Sequence, residues 1–236
     1  MAPEHLVKSF DEQLEKLNAS ISEMAGLAES QLQTALDALA RRDTDLAQRV
    51  IAGDARVDQL EKDVAHQVVR LLALRQPMAI DLRAIVSALK ISSDIERIAD
   101  YAANLAKRSL VLSQIPPMRS LGGVERLGRL VLTLLKDVFD AFANNDVQKA
   151  HGVWLRDEEV DDMYTSLFRE LLTYMMEDPR NITPCTHLLF MAKNIERIGD
   201  HATNIAELIE FKVTGKEITG ERPKGDSANY ARAEAV

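Results

Sequence analysis

Large apolar residues recur every three or four positions over long stretches of this chain, the period of a helix with one buried face. Leu14, Leu17, Ile21, Met24, Leu27, Leu32, Leu36 and Leu39 mark a first such face, and Val57, Leu60, Val64, Val68 and Leu71 a second. The positions between them are rich in Ala, Glu, Gln, Lys and Arg, which lose little freedom in a helix. No segment shows the two-residue alternation of a half-buried strand. Arg42-Asp43-Thr44-Asp45 reads as a break with an N-cap, and Arg75-Gln76-Pro77 as the next turn. Ser113 to Gly123 is dense in turn residues and divides the chain nearly in half. The pattern predicts an all-α protein of six long helices.

The two halves repeat one another. Ile95-Glu-Arg-Ile-Ala-Asp-Tyr-Ala-Ala-Asn-Leu-Ala106 aligns with Ile195-Glu-Arg-Ile-Gly-Asp-His-Ala-Thr-Asn-Ile-Ala206, with eight of twelve positions identical. At an offset of 103, Asp37, Ala38, Ala40, Asp43, Ala47, Val50, Asp54, Val57 and Asp58 recur as Asp140, Ala141, Ala143, Asp146, Ala150, Val153, Asp157, Val160 and Asp161. A duplicated three-helix bundle follows, with antiparallel neighbours joined by short loops. The expected division is residues 1–113 as the first repeat, 114–123 as linker and 124–213 as the second repeat. Residues 214–236, with three glycines, a proline and few large apolar residues, read as a flexible tail.

Ala38, Ala40, Val50, Ile98 and their counterparts sit at helical spacing and read as core. The repeated carboxylates are different, because packing needs no charge. Each half carries two acidic pairs four residues apart: Asp54/Asp58 and Glu96/Asp100, then Asp157/Asp161 and Glu196/Asp200. Such pairs share one helix face, roughly 6 Å apart, and repel unless a cation intervenes. Asp54 and Asp100, and likewise Asp58 and Glu96, centre on Pro77. The second set centres between Asp178 and Pro179. Folding each hairpin at its turn therefore brings four carboxylates to one level. The repeated Asn104 and Asn204, one turn beyond Asp100 and Asp200, are candidates to support those carboxylates from behind.

Oxygen donors at this density suit hard ions, namely iron, manganese, magnesium or calcium, and carboxylates can bridge more than one ion. Zinc of the thiolate and imidazole kind does not fit, since no Cys or His has ligand spacing. Ordinary surface salt bridges are the other explanation: Arg97 with Asp100, Arg197 with Asp200 and Lys193 with Glu196 are three residues apart. Asp54, Asp58, Asp157 and Asp161 lack a repeated basic partner, and both explanations stand at this point.

Composition narrows the function classes. The 236 residues are 46% hydrophobic, which excludes wholesale disorder, and a net charge of −8 argues against a primary nucleic-acid binder. The single Cys185 cannot form an intramolecular disulfide. The polar start gives no sign of a signal peptide, and the longest apolar runs fall short of the roughly 18 residues of a membrane span. A cytoplasmic protein without direct membrane insertion is expected. No Gly-rich phosphate loop, GxSxG, HExxH or Glu-x-x-His pairing occurs, so no enzyme is expected. His201 follows Asp200 but aligns with Tyr101, and reads as an interfacial or exposed residue. Trp154 and Met175-Met176 read as packing.

At Ile95–Asp100, Ile195–Asp200, Gln76-Pro-Met-Ala-Ile-Asp-Leu-Arg83 and Thr173-Tyr-Met-Met-Glu-Asp-Pro-Arg180, the sequence resembles the PhoU family of phosphate-uptake regulators. The resemblance covers about residues 5–213, with Ala99 departing from a glycine common in the family and present here at Gly199. It implies two three-helix bundles whose acidic motifs, here the eight carboxylates above, bind metal clusters in some members. It also implies a bacterial, cytoplasmic, dimeric negative regulator of the phosphate-starvation response. Such a protein works beside the phosphate ABC transporter, linking its ATPase to a sensor histidine kinase. A metal-buffering helical protein without a signalling partner, and an adaptor for a different transporter, are the alternatives.

Overall fold

A computed structural model describes residues 4–116, 121–219 and 222. Seven α-helices dominate: α1 (Glu4–Arg41), α2 (Thr44–Arg75), α3 (Ala79–Leu112), α4 (Leu121–Asn144), α5 (Val147–Leu155), α6 (Asp157–Glu177) and α7 (Ile182–Thr214). A 3-10 turn spans Pro179–Asn181, and no strand occurs among the described residues. Part of the expected linker (117–120) and of the expected tail (220–221 and 223–236) lies outside the described residues.

The architecture is the duplicated bundle. The second helix of the second half, however, is broken at Arg156, whose φ of −91° and ψ of 5° leave the helical region. Together α5 and α6 are the counterpart of α2. Helix α4 also starts earlier than the sequence suggests, taking in Gly122 and Gly123 from the expected linker. A Cβ on Gly123 would lie 2.5 Å from Leu167 Cδ1, so the bare backbone permits a close α4–α6 approach that outweighs glycine's poor helix propensity.

Both α1–α2 and α4–α5 turns use one device. The Asp43 N–H donates to the Ala38 carbonyl at 2.9 Å and Arg42 N–H to Leu39 at 3.3 Å; Asp146 and Asn145 repeat this with Ala141 and Phe142 at 2.9 and 3.4 Å. These are Schellman closures, with Arg42 and Asn145 in the left-handed region at φ 56° and 51°. The Asp43 carboxylate then caps the N–H groups of Asp45 and Leu46, and Asp146 caps Lys149. A left-handed arginine costs about 1 kcal/mol. Arg42 offsets it by donating to the carbonyls of Ser113 and Ile115, which ties this turn to the end of α3.

Across the middle of the molecule α3 packs on α7, and α1 on α4. Each contact pairs a helix with its own repeat counterpart. On α3, Arg83 lies beside Gly215, Asp94 beside His201, Tyr101 beside Arg197 and Arg108 beside His187. The numbers rise on one helix as they fall on the other, so the pairing is antiparallel and an approximate two-fold axis relates the halves. Ile91, Ile95, Ile98 and Leu105 of α3, with Met191, Ile195, Ile198 and Ile205 of α7, are fully excluded from water. Each such side chain contributes about 1.5–3 kcal/mol of transfer free energy.

Trp154 is buried as expected and donates its indole N–H to Glu207 at 3.0 Å. Met175 packs against the core, but Met176 does not: it is 79% exposed, on the side of α6 opposite buried Leu167. It joins Ile182 as exposed apolar surface at the α6–α7 turn, and Leu74, Met78 and Ile80 do the same at the α2–α3 turn.

Two glycines give opposite expectations. A Cβ at Gly128 on α4 would overlap the Leu36 side chain of α1, so Gly128→Val should destabilise by about 1–3 kcal/mol through overpacking. A Cβ at Gly152 on α5 meets nothing, so Gly152→Ala should stabilise by about 0.5–1 kcal/mol. Urea denaturation of both variants checks the pair; a destabilised Gly152→Ala would contradict the open space seen there.

Candidate metal centre

Helices α2 and α3 run antiparallel from a turn at which Gln76 adopts the left-handed conformation and Pro77 prevents continuation of α2. Residues equidistant from that turn face one another. Carboxylate oxygens of Asp54 and Asp58 on α2 and Asp100 on α3 accordingly lie within 4.8 Å of one another, a spacing a single ion could share. Glu96, one turn before Asp100, is near enough to feel the charges of Asp100 and Asp58 but leans to Arg97, at 3.6 Å. Half-buried Asn104 lies one turn beyond Asp100 on the same helix.

The electrostatics of this group are unfavourable as it stands. Burial, and then the like charges of Asp100 and Asp58, hold the Asp54 carboxyl above its ordinary range, against the opposing charge of Lys107. Burial and Asp100 do the same to Glu96. Asp54 Oδ1 is buried without a hydrogen-bond partner, which is costly for a carboxylate oxygen. Arg97 relieves little: it reaches Asp100 only at 3.5 Å, and its side chain is 58% exposed. Three convergent oxygen donors, one of them orphaned, fit a hard cation held by Asp54, Asp58 and Asp100, with Glu96 outside the group.

The second half arranges the same acids differently. Asp157 is the first residue of α6 and is 3% exposed. It accepts hydrogen bonds from Thr203 Oγ1 at 3.0 Å and from Arg222 Nε and Nη2 at 2.7 and 2.9 Å. The same Arg222 Nη2 reaches Asp200 Oδ1 at 2.9 Å. Glu196 takes Lys193 Nζ at 2.6 Å on one oxygen, while its other oxygen is buried and unpartnered. Burial is the first cause of a raised Glu196 carboxyl, and the charges of Asp200 and Asp161 add to it, against Lys193. Asn204 donates weakly to Asp94 and accepts weakly from Arg222, both at 3.4 Å. Among the described residues only Asp54, Asp58 and Asp100 form a three-carboxylate group at shared-ion distance.

Of the other charged candidates, Arg197 hydrogen-bonds Tyr101 across the α3–α7 seam at 3.1 Å. His201 sits in the same seam, its Nδ1 2.7 Å from Asp94 Oδ1. Sequence reasoning missed Arg222, Thr203 and Asp94. Thr203 replaces Ala103 in the repeat, a visible difference that could have flagged an added donor.

A family model described as "PhoU domain" matches residues 21–109 and again residues 124–209. The chain belongs to the PhoU family. It is 57% identical over 224 residues to a "Phosphate-specific transport system accessory protein PhoU homolog" of Caulobacter vibrioides, covering 94% of this chain and 97% of that one. A Rhizobium meliloti protein of the same description is 51% identical, over 96% of both chains. The crystal structure of PhoU from Pseudomonas aeruginosa superposes with a TM-score of 0.86 at 40% identity, covering 88% of this chain and all of that one. The PhoU regulatory protein of Streptococcus pneumoniae gives 0.82 at 30% identity, over 89% and 99%. At the departure from the family glycine, the Ala99 methyl is fully buried, and the carboxylates beside it still converge.

The raised carboxyls have a definite linkage sign. Asp54, Glu96 and Glu196 take up protons at higher pH in the folded chain than in the unfolded one. Their contribution is favourable at acid pH and is lost as pH rises through the raised folded values. In chelator, Asp54→Asn should therefore raise Tm at neutral pH, and its advantage over the wild type should shrink as pH falls toward the ordinary carboxylate range. Thermal melts across that window test this; a constant difference would show that Asp54 carries no such strain.

Proposed function

We propose that this chain is a non-enzymatic accessory regulator of a phosphate-specific transport system that binds metal through its helical hairpins. The observation that carries the phosphate role is the near end-to-end likeness, at 57% identity, to a relative described in those words. The metal role is supported by the convergence of Asp54, Asp58 and Asp100 around an unpartnered buried oxygen. In this reading the eight carboxylates hold iron, manganese, magnesium or calcium, singly or in clusters, and Asn104 and Asn204 stand behind them. Metal would tie α2 to α3, and α6 to α7, giving rigid faces for partners.

The finer role is negative regulation of the phosphate-starvation response by a cytoplasmic homodimer. It would act between the ATPase of the phosphate ABC transporter and the sensor histidine kinase, holding the kinase in its phosphatase mode. Consistent with a partner that stays outside the bilayer, no helix among the described residues is long and apolar enough to cross a membrane.

Deleting the gene and measuring alkaline phosphatase in phosphate-rich medium tests the regulatory role. High activity, returned to low by the wild-type gene, is expected. Unchanged low activity with normal phosphate uptake would remove it and leave a metal buffer. For the metal, Asp58→Asn with Asp100→Asn should lower the bound metal per chain, read by elemental analysis; an unchanged stoichiometry would exclude the first cluster.

A further inference from the structure

The cation of the second cluster is already in the chain. Arg222 lies beyond the end of α7, yet its guanidinium reaches back to grip both oxygens of Asp157 at 2.7 and 2.9 Å and one oxygen of Asp200 at 2.9 Å. It also touches the Asp200 carbonyl and Asn204 Oδ1, both at 3.4 Å. By the repeat, Asp157 and Asp200 are the counterparts of Asp54 and Asp100, two of the three carboxylates that converge in the first half. We propose that Arg222 occupies the ion position of the second carboxylate cluster, so that a metal ion and the Arg222 guanidinium exclude one another there.

Exclusion follows from position and charge. One planar fork sits between the Asp157 oxygens and Asp200 Oδ1, so an ion shared by these carboxylates would have to occupy the place of the guanidinium, against its positive charge. The contact is not a loose surface pairing: the Asp157 side chain is 4% exposed and that of Arg222 20%. Without Arg222 or an ion, Asp157 would be a desolvated charge held by a single hydroxyl, Thr203, which the first half lacks. The two clusters are therefore unequal. Among the described residues the first has no guanidinium on Asp54, whereas in the second Arg222 already sits between Asp157 and Asp200, where metal enters only as Arg222 leaves. Metal at the second cluster then sets Arg222 free of the helical surface. This inference rests on the metal-binding reading above.

Trp154 makes the second cluster separately visible, as the single tryptophan of the chain and three residues before Asp157. Terbium(III), a hard oxygen-seeking ion, is titrated into wild type, Arg222→Gln and Arg222→Lys, with emission excited through the tryptophan. The same series is repeated with Asp54→Asn, Asp58→Asn and Asp100→Asn to silence the first cluster, and helicity is checked by circular dichroism. Removing an internal competitor should lower half-saturation by about tenfold or more in Arg222→Gln, with Arg222→Lys between it and wild type. If Arg222→Gln fails to fold, a shift of Arg222→Lys below wild type still supports the exclusion. Equal half-saturation in wild type and the folded variants would overturn it while leaving metal binding intact. No terbium bound to either cluster in any variant, by equilibrium dialysis, would overturn it together with the metal reading.

Discussion

Two helices joined by a tight turn have almost no freedom of register, and acids placed at equal distances from that turn are forced together. In this protein the turn at Gln76–Pro77 fixes α2 against α3, and Asp54, Asp58 and Asp100 meet as a result. Neighbouring packing then takes away the water that would otherwise keep three negative charges apart. Fully buried Val57 and Ala99, adjacent in sequence to Asp58 and Asp100, form part of that surround. Like charges this close repel, and a positive group beside them lowers that cost.

The halves differ in this respect despite nearly identical acids. Asp54 lies in the interior of an unbroken α2, whose backbone N–H groups are consumed by the helix. Asp157 begins α6, because the chain breaks at Arg156, and so stands at the positive end of a new helix. Thr203 adds a donor where the first copy has Ala103, and Arg222 adds a full charge. Duplication has thus kept the pattern of acids while changing what surrounds them.

Most of the fold can be read from local features. Asp43, Pro77 and the turn-rich stretch after Leu112 mark helix ends through capping and missing donors, and the repeat supplies the three-helix plan of each half. The convergence of Asp54, Asp58 and Asp100 is also legible, since it follows from distances to the turn. What escapes the sequence is non-local. Arg156 is neither glycine nor proline, and the acidic run Asp157-Glu158-Glu159 after it is only a weak sign of a new helix start. Arg222 is one of several basic residues after α7, among them Lys216 and Lys224, and no periodicity selects it. Asp94 meets His201 through a seam between helices that are not adjacent in sequence, at positions where the copies differ: Asp94 aligns with Asn194, and Tyr101 with His201. Met176, by contrast, is legible: Leu167, Leu171 and Met175 share one face of α6, and Met176 lies on the opposite side of the helix from Leu167.

The antiparallel pairing of α3 with α7 has a consequence for reach. Helix α3 has 34 residues and is therefore about 50 Å long, and its two ends lie beside opposite hairpin turns. Met78 and Ile80 project at one end, and Met176 and Ile182 at the other. The exposed apolar residues of the two turns therefore lie about a helix length apart, and turning the molecule end over end brings one set to the place of the other.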